Sequence, residues 1–198
     1  SRCTDQTGEN KSLKISEMKI AQQLKEKNIA EYLIYMWQVE DLIRANGCDM
    51  EEIKKKIVDP YPAAEEQKQE LMQWYTELIE MMRRENVQEK GHLQVNKNVI
   101  AWLTDLHLRL LRSAKFPYYD SAYDKVLPFI VELRAKGANP DEPELETCFD
   151  ALYGILMLKL QRKEVNRETA EAQEAISNML AMLSDYYRQV KAGELNVD

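Results

Sequence analysis

The sequence predicts an all-α protein: a single-domain helical bundle of five long and about two short helices. Three observations carry that prediction. Apolar residues recur at about 100° per residue over long runs, the rotation of an α-helix. Glycine follows four of those runs, at Gly47, Gly91, Gly137 and Gly193, where a helix C-cap favours a residue without Cβ. No stretch alternates apolar and polar residues over a strand's length, and no Asn-Gly turn joins two strand-like runs.

Taken in order, residues 19–46 place Leu24, Ile29, Tyr32, Met36, Val39 and Ile43 on one helical face. The middle of that run, AEYLIYMWQV, is apolar almost all round, so this helix is expected at the centre. Residues 49–58 predict a short helix stopped by Asp59-Pro-Tyr-Pro62. Residues 63–90 bring together Leu71, Tyr75, Leu78 and Met82. Residues 93–113 do the same for Val95, Val99, Trp102, Leu106 and Leu110. The three tryptophans, Trp37, Trp74 and Trp102, fall one per long helix, as core residues would.

The next stretch, AKFPYYDSAYDKVLPF (residues 114–129), is aromatic and holds two prolines. Pro117 bars the residue before it from helix. Ser121 with Asp124 offers a start signal for a short helix within 121–136, interrupted by Pro128. The expectation is a corner. Phe116 and one of Tyr118 or Tyr119 fold over the bundle end, hydroxyl at the surface, and Tyr123, Leu127 and Ile130 turn inward.

Asp141 with Glu144 reads as a capping box for residues 143–164, which align Leu145, Phe149, Leu152, Leu156 and Leu160. Asn166 opens residues 167–191. Ile176, Met179, Leu183, Tyr186 and Val190 form a heptad-like seam there, which also offers a face for a homodimer.

Composition limits the function. The chain has 198 residues, 44% hydrophobic and 31% charged, as in a globular protein. A net charge of -7 opposes a nucleic-acid backbone or an anionic membrane as partner. No apolar run approaches the roughly 18 residues of a membrane span. Cys3, Cys48 and Cys148 are far apart and odd in number, which supports neither a zinc site nor a disulfide framework and points to a reduced cytoplasm. Residues 1–17 are polar and read as a disordered leader, or as residues before a natural start near Met18. The helical domain then covers 18–193, with 194–198 as a tail.

The segment MKIAQQLKEKNIAEYLIYMWQVEDLIRA (residues 18–45) resembles the start of an uncharacterised family of small helical proteins from Bacteroides-like anaerobes, a domain of unknown function. The resemblance runs from Met18 nearly to the end. It implies a soluble, all-helical bacterial protein and carries over no activity and no site residues.

Chemistry is sparse. The only histidines are His92 and His107. Glu89 and His92 have the ExxH spacing of di-iron bundles, but no second ExxH exists and Gly91 interrupts it, so a solvated junction is expected. Glu168, Glu171 and Glu174, like Glu65, Glu66 and Glu70, open helices, where the dipole accounts for them. No phosphate-binding or nucleophile motif occurs. The sequence therefore assigns no catalytic, cofactor-binding or metal-ligating residue and no cofactor.

Polar residues do border apolar arcs: Asn28, Asn96, Glu40, His107 and Lys159. Two function classes follow. The first is a cytoplasmic interaction protein (a scaffold, adaptor or regulator) that binds a protein partner or itself. The second is an enzyme or small-molecule-binding protein with a site between helices near Glu40, His107 and Lys159. Convergence of those three beside a cavity marks the second class. A filled core with an exposed Met/Tyr patch marks the first.

Overall fold

A computed structural model describes residues 15–198, so residues 1–14 of the expected leader lie outside the described residues. The regular structure of the described residues is helical, with no strand. The order is α1 (Glu17–Lys27), α2 (Ile29–Ala45), α3 (Met50–Ile53) with a π-helical turn (Lys54–Val58), α4 (Glu65–Arg84), α5 (Gln94–Arg112), α6 (Pro117–Ala135), α7 (Glu144–Leu160) and α8 (Arg167–Lys191). The protein is all-α.

The expected helix 19–46 is two helices. Asn28 breaks it, with an extended backbone (φ -154°, ψ 95°). Its Oδ1 accepts the Glu31 N–H at 3.1 Å, and its own N–H donates to the Leu24 carbonyl at 2.7 Å. One residue thus closes the end of α1 with its backbone N–H and caps the start of α2 with its side-chain amide. The Ala30 N–H, another donor left free at the start of α2, is taken by Ser184 Oγ of α8 at 3.2 Å.

The short helix expected within 121–136 is 19 residues long and begins at Pro117, not Ser121. Phe116 adopts a non-helical φ of -126°, as the residue before proline must, and Pro117 opens the helix where no N–H is needed. The helix continues through Pro128. Asp124, whose carbonyl loses a donor there, is exposed, so water can supply it. Tyr119, Ala122, Val126 and Ile130 face the core, and Leu127 is exposed.

Two cap readings are also corrected. Glu144 follows Pro143 with no side-chain cap, so the Asp141/Glu144 box is absent. Gly91 caps no helix: α4 already ends at Arg84. Asn86 takes the left-handed turn (φ 56°), and the Val87 N–H closes it on the Met82 carbonyl at 3.0 Å.

Two apolar cores share α2. Leu33 and Trp37 join a core with α5, α6, α7 and α8. Met36, Val39 and Ile43 join a second core with α1, α3 and α4. The α8 seam lies inside the molecule: Ile176, Met179 and Leu183 are buried, and α8 packs on α2, α5, α6 and α7. It is therefore not free to form a dimer. Residues 194–198 return to the core, burying Val197, while Asp198 pairs with Arg109 at 3.2 Å. No helix among the described residues is long and apolar enough to cross a membrane.

Candidate functional site

Glu40, His107 and Lys159 share no polar partner and line none of the main surface grooves. Glu40, on α2, is buried. Its carboxylate accepts the Leu93 N–H at 2.7 Å, and His92 Nδ1 lies 2.8 Å from its other oxygen. His107, on α5, is buried with Nδ1 2.5 Å from the hydroxyl of Tyr119 on α6. Burial lowers its pKa, against a smaller opposing effect of Glu144, so it is a core residue held neutral. Lys159 is exposed and donates to Gln173 of α8 at 2.8 Å.

His92 was expected in a solvated junction and is instead part of a clamp. Its ring stacks on Trp37 at 4.1 Å and 9°. Trp37 is also packed edge-on by Tyr153 and Phe149 of α7. The Tyr153 hydroxyl donates to Asp41, and Asp41 pairs with Arg44 at 2.9 Å. Arg44 donates to the carbonyls of Val87 and Gly91. One face of α2 thus holds the 85–93 loop through two charged side chains, which satisfies the loop's backbone groups. The distance in sequence between Glu40 and His92 hid this pairing.

The surface of α7 is the least explained part of the molecule. Its last seven residues, GILMLKL (154–160), include five apolar side chains, yet only Ile155 is buried. Leu160 is 62% exposed and Leu158 37%. Beside them runs a groove of about 280 Å³ between α6, α7 and α8. Phe129, Leu133, Ala151, Gly154 and Leu158 line its apolar part. The exposed apolar side chains here are leucines, not the Met/Tyr patch that would mark an interaction protein. Trp102, expected in the core, is 51% exposed at the edge of α5's apolar arc.

Carboxylates rim the groove. Lys136 Nζ is 2.8 Å from Glu132, and the neighbouring Glu132 carboxylate holds Glu168 above the usual carboxylate range. Asp150 is open to solvent on one side and faces Glu142 and Glu146 on the other. Partial burial, then those two charges, push its carboxyl up to about 7. Partial burial, then the charge of Glu142, raises Glu146 as well. Among the described residues, no group of three or more His, Cys, Asp or Glu side chains is placed to hold a metal ion.

Fold and surface together define a helical domain whose buried Glu40 and His107 hold elements together and whose surface includes an apolar groove with acidic edges. The sequence profile of the family described as Domain of unknown function (DUF4924) matches residues 18–194, and the chain belongs to that family. No curated protein and no solved structure matches it.

Proposed function

We propose that the protein works by binding another protein, as a cytoplasmic scaffold, adaptor or regulator, and that the C-terminal half of α7 is its contact surface. One observation carries this reading: a helix end that is apolar on nearly all sides is only partly covered by the rest of the chain, with Leu158 and Leu160 exposed. Exposing leucine to water is unfavourable by about 25 cal/mol per Å², and contiguous exposed apolar surface of this kind marks interaction sites. Glu40, His107 and Lys159 each have a separate hydrogen-bond partner, which favours this reading over a site formed by those three between helices.

The test is affinity purification of the tagged chain from its cell of origin, with mass spectrometry of bound proteins and small molecules. The double variant Leu158→Ser/Leu160→Ser serves as control. Proteins retained by the native chain and lost from a variant of native thermal stability support the reading. Retention of the same proteins by that variant contradicts it.

A further inference from the structure

Gly154 has no internal explanation. It lies inside α7, and its φ is not in the left-handed region. A Cβ built on it meets no atom within 4 Å. A glycine inside a helix lowers stability relative to alanine, so the fold alone favours Ala here. Gly154 is exposed and stands in the groove wall, one helical turn from Ala151. The missing side chain leaves the backbone open to close approach by something outside the chain.

What surrounds Gly154 selects the visitor. The apolar part of the groove continues through Leu158 and Phe129. Its charged edges are Glu132, Glu168 and Asp150, against Lys136 alone. Just before α7 and in its first half, residues 139–150 (NPDEPELETCFD) contain five acidic residues and no basic one. Like charges outnumber the cation at the groove: Glu142 and Glu146 both bear on Asp150, and Glu132 bears on Glu168, while Lys136 beside Glu132 offsets only part of this. Such crowding is unfavourable in the free chain and relieved by an incoming cation. No metal-holding group exists among the described residues, and the carboxylates are spread along the groove, so the complementary cations must be spread along a chain too. A second copy of this chain, at net charge -7, is a poor source of them.

We propose that the groove between α6, α7 and α8 receives an amphipathic helix of a partner protein, with its apolar stripe crossing α7 at Gly154 and its lysine or arginine residues meeting Glu132, Glu168 and Asp150. This rests on the reading of α7 as a contact surface and adds the partner's chemistry. The helix is a helix-in-groove ligand with small or apolar anchors at i, i+3, i+4 and i+7. The acidic edges fix its direction and speed its capture, so binding weakens as salt rises.

The test uses the purified full chain and three synthetic 18-residue peptides with one Leu/Ala face. Their flanking positions are Lys, Gln or Glu. Fluorescence anisotropy gives affinity, and backbone amide NMR shifts give location. The Lys peptide is expected to bind, with shifts centred on Ala151, Gly154 and Leu158. Gly154→Leu is expected to weaken it by more than about tenfold, and Glu132→Gln/Glu168→Gln by about three- to tenfold with a flatter salt dependence. Circular dichroism and thermal melts confirm that each variant is folded, and Gly154→Ala, which fits the free helix, provides a milder second variant. If the Gln peptide binds as well as the Lys peptide, the basic chemistry is wrong while the contact surface stands. If folded Gly154→Leu binds like the native chain, or the shifts lie elsewhere, the groove itself is wrong. Dimerisation of the native chain that Gly154→Leu abolishes would overturn the heterologous partner in favour of a second copy.

Discussion

At the scale of single residues, adjacent tyrosines show how narrowly position decides role. Tyr119 is fully buried with its hydroxyl against His107, whereas Tyr118 is 82% exposed. Tyr119→Phe leaves the buried His107 nitrogen without its partner and should cost about 1–3 kcal/mol in chemical denaturation. Tyr118→Ser should stay within about 0.5 kcal/mol of the native chain. Equal effects would contradict the placement. The sequence marked both tyrosines as candidates for the plug but not which one turns inward, because the helix was expected to begin four residues too late.

Asp150 gives a pH signature. Its folded carboxyl is raised to about 7, while an unfolded aspartate titrates near 3.9. Between those values the folded state binds the more protons, so this group's contribution to stability falls as pH rises through that window. Asp150→Asn removes the charge. It should raise the melting temperature at about pH 8 and leave it unchanged below about pH 4. A lower melting temperature at pH 8 would show that the carboxylate is favourably paired. This site was only partly legible. The carboxylates are plain in the sequence, but their mutual approach depends on how the turn before α7 folds back.

At the scale of elements, local chemistry predicts well where no competing partner intervenes. Asn166 opens α8 as expected, its side chain accepting the Thr169 N–H at 2.8 Å. Asn28 has the same chemistry, but continuous apolar spacing on both sides concealed that it caps rather than spans. The run ending near residue 90 misled differently. Gly91 looked like a C-cap, but Asn86 stops α4 first, and the freed loop is held by contacts from α2 that no local pattern reports.

Gly154 provides the element-scale prediction. Its φ suits alanine and the added Cβ meets nothing, so Gly154→Ala should stabilise the isolated chain by about 0.5–1 kcal/mol through helix propensity. A loss of stability would mean that the glycine serves the fold, and would remove the reason to look for an outside ligand at that point.

For the whole molecule, the class and the central position of α2 follow from composition and periodicity. Eight of the seventeen residues of α2 are buried, and both cores draw on it. The bundle's remaining asymmetry is at α7, which begins among buried residues at Leu145, Cys148 and Phe149 and ends with leucines in water. Periodicity aligned Leu156 and Leu160 with the core face. It cannot report that Leu158 and Leu160 stay exposed although α8 packs on α7, since that depends on where the 161–166 connection places the next helix.

The central claim is that this partly covered end is a contact surface, and photo-crosslinking inside the cell of origin tests it most directly. A photoreactive phenylalanine analogue replaces Leu158 in one strain and Lys125, an exposed residue of α6 outside the groove, in another. The account predicts a discrete adduct with another protein from position 158 and none from position 125. No adduct at position 158, or the same adducts from both positions, would contradict it.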